Sequence, residues 1–379
     1  MFLKHLLLRN FRNYSHLQID FCNGVNYIYG DNAHGKTNLL EAIYFLIIGR
    51  SFRSKQLSDV IKHGESFFYL EACFERDGVE NILKFSYDAK TRYIVHNETY
   101  LRSSADILGL LQGTILVPED IDIIKGSPSC RRRFLDIHVS QHNKEYLHTL
   151  IRYQRALKQR NCLLKGGLRD NIEEWEVELS KAASKIVLER YRALSVLEEE
   201  AQCSYSKISL GHDCLELCFR NSFYDKLVED IDAPALQELY LQKYISQRER
   251  EYIMGKTLSG PQYDDFRILI NGHEAKTFGS EGQQRSSVVS MRMGEWSVLN
   301  KEFNYIPIIA IDDFGLGMDS FRKESFYRDL EQQGQIFITS TDRPSGFDNF
   351  RKDFLGLKVH NGTMEQICKQ VKKDERYSI

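Results

Sequence analysis

Long apolar runs are what this sequence most plainly lacks. The longest, such as Ile306–Ile311, falls far short of the about 20 residues that a membrane-spanning helix needs, so no membrane partner is expected. The stretch Met1–Asn10 mixes Lys4, His5 and Arg9 into its apolar residues and has no small-residue cleavage site, so it does not read as a signal peptide. Paired cysteines are missing too. The eight cysteines (22, 73, 130, 162, 203, 214, 218 and 368) form no Cys-x-x-Cys, which suits reduced, buried thiols of a cytoplasmic protein better than disulfides or zinc. Charge of one sign is absent: 51 Lys and Arg oppose 53 Asp and Glu, a net of −2. No global field therefore attracts a polyanion, and any nucleic acid must be met by a local patch. Only six prolines beside 12% aromatic residues argue against a disordered or fibrous chain. The 379 residues allow two or three domains of about 150 residues each.

Periodicity organises what is present. Phe2–Leu8, the turn-like Asn10–Tyr14 and the alternating Leu17–Phe21 read as strand, turn, strand. Val25–Tyr29 reads as a strand running into Gly30, and Asn38–Ile48 follows as an apolar helix. Phe67–Phe74, Asn81–Tyr87 and Tyr93–His96 alternate, separated by Asp77-Gly78 and Asp88-Ala89-Lys90. They predict an antiparallel meander, because Asp-Gly tolerates positive φ at both turn positions. Arg131–Leu164 and Glu173–Ser206, broken at Gly166-Gly167, are rich in helix formers. Each would be a helix of about 50 Å, too short for a coiled-coil rod. Beyond Gly260, Phe266–Ile270 meets the hairpin signal Asn271-Gly272. A helix over Gln283–Leu299, a strand at Ile306–Ile311, a helix over Asp319–Gln332 and a strand at Gln335–Thr339 follow. The expected architecture is an α/β domain built from both ends of the chain, residues 1–128 and 256–379, with a helical insertion at 129–255.

Gly30-Asp31-Asn32-Ala33-His34-Gly35-Lys36-Thr37 matches G-x-x-x-x-G-K-[ST] in full. Its glycines let the backbone curl so that N–H groups face phosphate oxygens; Lys36 would reach the β- and γ-phosphates, and the Thr37 hydroxyl would ligate Mg²⁺. The helix starting near Gly35 adds its positive dipole end. A strand before and a helix after raise this above a chance Gly-rich turn, so nucleotide binding is expected. Ile306–Ile311 ends in Asp312-Asp313. Asp312 could support Mg²⁺ and Asp313 could hold an attacking water as general base. An Asp capping the next helix would look the same, but beside a phosphate loop the metal reading leads. Gly279-Ser280-Glu281-Gly282-Gln283 opens a helix and offers a hydroxyl and backbone N–H groups to a phosphate; by itself it would pass for a plain helix cap.

The order of these elements resembles the ABC-type ATPase heads of the SMC group: an α/β head with a mixed sheet, an antiparallel meander and an inserted helical arm. Longer words resemble the RecF family of bacterial recombination and repair proteins over essentially the whole chain. They include Leu8–Tyr14, Gly35–Tyr44, Gly49–Ser51, Pro118–Asp120, Arg131–Asp136, Ser259–Pro261 with Asp264–Phe266, and Gly282–Arg285. The resemblance implies ATP with Mg²⁺, held by Gly30–Thr37, Asn38 and Arg12, with Asp312 on the metal and Asp313 as catalytic acid. It implies that Ser280, Gly282 and Gln283 complete the γ-phosphate site of a second protomer, so that ATP drives homodimerisation, with Asp319 at the dimer interface. Thr341 stands where transporters of the superfamily carry a histidine. It also implies slow hydrolysis, since Asp313 is one methylene shorter than the glutamate of fast ABC heads, and a role in directing recombinase to gapped DNA with RecO- and RecR-type proteins. Four positions depart from the family pattern: His34 replaces an expected Gln, Phe52 a His, and Gln262-Tyr263 a His-Arg pair.

A DNA partner would need a basic zone. Lys125–Lys165 carries ten Lys and Arg against Asp136 and Glu145, a local +8. Arg131, Arg132, Arg133, Lys144, Arg152 and Arg155 are the candidate backbone contacts, without sequence-specific readout; acids from elsewhere in the fold are the main rival partners. Other functions remain in play. An ABC importer subunit would share the nucleotide motifs but need a Gln-bearing loop, closer motif spacing and a histidine at Thr341. A small-molecule P-loop kinase would lack Ser280–Gln283 and Asp319. A nucleotide-sensing DNA scaffold would show negligible turnover.

Overall fold

The computed structural model describes residues 1–222, 231–303, 305–313, 330, 334–343 and 353–370. The expected helix over Asp319–Gln332 lies, apart from Leu330, outside these residues, and Asp319 with it. The chain packs as two compact units: Met1–Asp120, Lys207–Gly211 and Val289–Ile379 form the first, Ile121–Ser206 and His212–Val288 the second. Phe266–Ile270 and Ser280–Gln283, which the sequence reading places with the chain ends, pack in the second unit. Their anchor is a strand of the insertion, Leu215–Arg220, which pairs along the whole of Asp265–Ile270.

In the first unit, β1 (Phe2–Phe11), β2 (Tyr14–Asp20), β4 (Phe68–Arg76), β5 (Val79–Tyr87), β6 (Arg92–His96) and β7 (Thr99–Tyr100) make one antiparallel sheet in the order β2-β1-β4-β5-β6-β7. Asp77 (φ 54°) and Gly78 (φ 75°) supply the left-handed pair that the β4–β5 hairpin needs. The second sheet runs β15-β14-β3-β13-β12-β8, from β3 (Val25–Tyr29), β8 (Gly113–Leu116), β12 (Ile308–Ile311), β13 (Ile336–Ser340), β14 (Phe354–His360) and β15 (Thr363–Gln370). All its neighbours are parallel except β14 and β15. Helix α1 (Lys36–Ile48) is apolar on nearly every side because it lies between the two sheets. Its Phe45 meets Phe68 and Phe85 of the meander edge-on at 5.9 and 4.7 Å, and Ile47 crowds Gly113 of β8. The other face of the parallel strands is closed by Val289, Met293 and Trp296, from helix α8 (Glu281–Glu302).

The second unit holds α2 (Asp122–Lys125), α3 (Pro128–His142), α4 (Lys144–Gly166), α5 (Ile172–Ser209) up to Ser206, α6 (Ala233–Met254) and α7 (Ala275–Phe278). A small sheet, β9 (Leu215–Arg220), β10 (Asp265–Ile270) and β11 (His273–Glu274), accompanies them. Arg131–Leu164 is therefore two helices rather than one. Asn143 breaks it: its backbone is extended and its side chain accepts from Tyr146 N, capping α4. Helix α6 has no counterpart in the sequence reading, although Asp232, a Pro in the first turn and Gly255 bracket it as cap, start and stop.

One ion network ties α4, α5 and α6 together. Arg160 is fully buried; it pairs with Glu176 at 2.9 Å and Glu251 at 2.6 Å, both fully buried, and donates to Thr257. Removing one partner of such a group strands the others. Arg160→Ala is expected to destabilise the unit by about 3–5 kcal/mol, read as a lowered denaturant midpoint; a midpoint equal to the parent's would refute it.

Candidate nucleotide site

The phosphate-binding loop follows β3, and two contacts require its glycines. A Cβ at Gly30 would lie 2.3 Å from Val359 O; at Gly35, where φ is +117°, it would strike the Asn13 amide at 2.6 Å. Neighbouring elements then grip the loop from outside. Asn13 Nδ2 and Gly362 N both donate to His34 O (2.9 and 3.1 Å), and the Tyr14 hydroxyl donates to Gly35 O at 2.9 Å. The His34 ring stands edge-on to His360, with centroids 4.8 Å apart. Lys36 folds its ammonium back over the loop, donating to Gly30 O at 2.7 Å and Asp31 O at 2.9 Å. Burial lowers the Lys36 pKa, against the pull of Asp313, Asp312 and Asp31.

The second half of the site arrives from β12 and reaches the loop across β13. Thr37 Oγ1 donates to Asp312 Oδ1 at 3.1 Å, and Thr339 Oγ1 donates to the same oxygen at 2.7 Å. Asp313 N donates to Thr339 Oγ1 at 2.7 Å, while Asp313 itself adopts φ 52°, a strained conformation for a residue with a side chain. A cavity of about 410 Å³ opens here, lined by Lys36, Thr37, Arg53, Glu119, Asp312 and Asp313 among others. Burial raises the Asp312 pKa; its two threonine donors oppose that, and the charges of Asp313 and Glu119 reinforce it. A buried carboxylate short of positive charge, beside a threonine hydroxyl, is a hard-oxygen pair suited to a divalent cation. Among the described residues no group of three His, Cys, Asp or Glu forms an all-protein metal cage, and Mg²⁺ does not require one.

The remaining candidates separate. Asn38 joins the loop's outer network, donating to Asn13 Oδ1 and accepting from Arg53. Arg12 does not line the cavity: its guanidinium grips Glu41, Ser54 Oγ and Asp59 O. The fully buried Glu41 demands that partner. Thr341 is exposed just beyond β13 and does not line the cavity either. In the second unit, Ser280 and Gln283 form a reciprocal cap. Gln283 N donates to Ser280 Oγ at 3.3 Å and Ser280 N to Gln283 Oε1 at 3.0 Å, with Gly282 between them at the start of α8. Glu119 belongs to a word that carries the family resemblance without a role attached, and nothing in the local pattern marks Arg53.

The model for the RecF/RecN/SMC N terminal domain matches residues 2–365. "DNA replication and repair protein RecF" of Protochlamydia amoebophila (strain UWE25) is 40% identical over 354 residues, covering 93% of this chain and 97% of that one. This chain belongs to the RecF family. A RecF of Geobacillus sp. (strain WCH70) is 34% identical over 368 residues, covering 96% of this chain and 98% of its own. A solved "recombination mediator protein RecF-ATP in RecFOR pathway" superposes with a TM-score of 0.88 at 32% identity, covering 97% of this chain and 98% of that one. The Smc head of Pyrococcus furiosus, at 15% identity and TM-score 0.56 over 97% of this chain and 96% of that one, shares the fold. The ABC/SMC-type head expected from the motifs is thus the fold of this RecF-family chain. Among the described residues no helix is long and apolar enough to cross a membrane.

The basic candidates of this RecF-family chain are partly spent inside the second unit. Arg131 pairs in two-pronged fashion with Asp265 (2.7 and 2.9 Å), Arg132 donates to Asp264 O, and Arg152 pairs with Glu178 at 2.7 Å. Arg160, counted in the local +8, is the buried centre of the network above. Arg133, Lys144 and Arg155 are exposed. Where the family pattern would place His-Arg, Gln262 donates to Ser259 O and the Tyr263 hydroxyl to Thr257 O.

Asp312 predicts a pH dependence. Its raised pKa means that the folded chain holds this proton to higher pH than the unfolded chain does. The associated stability is present in acid and lost as pH rises through the folded-state value. Asp312→Asn keeps an oxygen acceptor for both threonines, so it should flatten this component of the stability profile without lowering stability at neutral pH. Unfolding measured across mildly acidic pH checks it, and an unchanged slope would count against the assignment.

Proposed function

We propose that this chain is an ATP-gated DNA-binding protein of recombinational repair. Two copies close head to head around two ATP molecules, clamp duplex or gapped DNA without reading its sequence, and release it after slow hydrolysis. The observation carrying the reading is the contact between Thr37 and Asp312 at 3.1 Å, beside Lys36 in a cavity that also receives Asp313. Phosphate-binding loop and acidic strand end are brought together as nucleotide chemistry requires. The names of the relatives support the biological side. They are called DNA replication and repair proteins, and solved ones are titled recombination mediators with ATP or ATPrS in the RecFOR pathway. RecR- and RecO-type proteins are the partners proposed on that ground. Family membership removes the importer and the small-molecule kinase from consideration.

In this reading the loop N–H groups and Lys36 hold the triphosphate, Lys36 giving up its contacts with Gly30 and Asp31 to reach it. Thr37 and Asp312 would hold a Mg²⁺ ion, which when bound neutralises phosphate charge. Asp313 takes the proton of the attacking water, and its short side chain is one reason to expect slow turnover. Ser280, Gly282 and Gln283 serve the partner's nucleotide, so the functional head is residues 1–128 and 256–379, with 129–255 as the arm, although packing divides the chain elsewhere. Asp319 at the dimer interface, Thr341 at the position where transporters of the superfamily carry a histidine, and Arg12 acting through Glu41 complete the proposed nucleotide set. Arg133, Lys144 and Arg155 are the foremost DNA contacts, and Arg131, Arg132 and Arg152 join only by exchanging their present partners.

Sizing the protein with ATP, ADP or no nucleotide, with and without DNA, is the direct test. The dimer should accumulate with ATP alone and be strengthened by DNA. Lys36→Met should lose the ATP dependence. Asp313→Asn should still pair but slow single-turnover hydrolysis by about 100-fold or more. Brisk hydrolysis by a demonstrated monomer would overturn the clamp.

A further inference from the structure

The Ser280–Gln283 turn, here called the signature turn, is preset by a residue that neither its motif nor the family resemblance includes. Gln283 uses both ends of its carboxamide: Oε1 accepts from Ser280 N at 3.0 Å, while Nε2 donates to Asp213 Oδ2 at 3.1 Å. An ionised carboxylate only accepts, so Asp213 decides which way the amide points. With Nε2 on Asp213, the oxygen must face Ser280 N. A flipped amide would set donor against donor and break the cap.

Asp213 is itself held. Its other oxygen accepts from Asn271 Nδ2 at 2.8 Å, in the hairpin turn between β10 and β11. Asn271 is fastened in turn to Cys214, N to O at 2.9 Å and Oδ1 to Cys214 N at 2.8 Å. From behind, Gln284 Nε2 donates to Ala275 O and Gly279 O, so the turn cannot drift away from its cap. The consequence falls on Ser280. Its oxygen receives the Gln283 N–H, which leaves the hydroxyl proton of this exposed residue to be donated outward. Asp213 follows closely in the chain on α5, the 38-residue helix that makes up much of the arm, so the backbone leads from that helix directly to the Gln283 amide.

We propose that Asp213 is a positioning residue for the signature turn and the point at which the arm bears on it, setting whether Ser280 is presented to the partner's nucleotide. This rests on the proposed role of Ser280–Gln283 toward a second protomer. It predicts a split between nucleotide affinity and turnover. Asp213→Ala should leave binding of a fluorescent ATP analogue within about twofold of the parent, while kcat and ATP-driven dimerisation fall about tenfold. Gln283→Glu, which sets two carboxylates face to face, should fall at least as far. Exchanging the groups, Asp213→Asn together with Gln283→Glu, recreates the hydrogen bond with reversed polarity, keeps an acceptor for Asn271 and for Ser280 N, and should recover clearly above Gln283→Glu alone, which brings the same new charge toward the partner's nucleotide.

Ser280→Arg separates the two layers of the argument. If it pairs and hydrolyses like the parent, the reading of the signature turn fails. If it is inactive while Asp213→Ala behaves as parent, only the positioning role fails. Should Asp213→Ala fold poorly, the exchange pair decides, because it keeps the links to Gln283 and Asn271. No recovery in that pair relative to Gln283→Glu alone overturns the proposal, as does a fall in stability with kcat per folded chain unchanged.

Discussion

The Thr339 hydroxyl donates to Asp312 and accepts from the backbone N–H of Asp313. Strand order makes this possible: β13 lies between β3, which carries the phosphate loop, and β12, which ends in the two aspartates. A parallel sheet delivers the carboxyl ends of its strands to one edge, where loops rather than regular ladders must satisfy the backbone. Thr339 spans the gap, and with it the left-handed backbone at Asp313 is held in place. The placement of the acid pair beside the loop depends on that bridging side chain.

Apart from Asp312, which two threonines hold, buried acids in both units are mostly met in one way. An acid that the fold must bury is answered by an arginine, whose planar fork satisfies two oxygens at once. Arg12 answers Glu41, Arg131 answers Asp265, and Arg190 answers Asp136 with Asp264; Arg292 answers Asp120 with Glu295. Burial pulls the pKa of Arg190 and Arg292 down, and those acids more than offset it, so both stay protonated. The arginines of the arm are therefore a poor guide to surface potential, and the charge left for a polyanion is a smaller set on α3 and α4.

The loop, its strand and its helix were legible because each is a local pattern: an apolar run, glycines where the backbone must approach another chain segment, then an amphiphile-free helix that belongs between sheets. Asp312-Asp313 was legible for the same reason. The break at Asn143 was harder to see, since one capping residue among helix formers is a weak signal against composition. Arg53 and Glu119 were not legible as cavity residues, because they reach the site from separate loops, and no periodicity connects them to it. The local +8 of Lys125–Lys165 counted only acids within the segment; acids outside it, Glu176, Glu251 and Asp265, pair with Arg160 and Arg131.

By itself the sequence determined which chemistry was available: a phosphate loop, an acid pair after a buried strand and a capped Ser-x-Gly-Gln turn. These are contiguous words, and their meaning depends on backbone geometry within a few residues. Tertiary structure alone decided which of them meet, that Thr37 reaches Asp312, that Arg12 is committed to Glu41 and that Asp213 orients Gln283. Such contacts join residues tens to hundreds of positions apart. They form only because burial forces each polar group to take the nearest available partner, and no local pattern encodes who that partner will be.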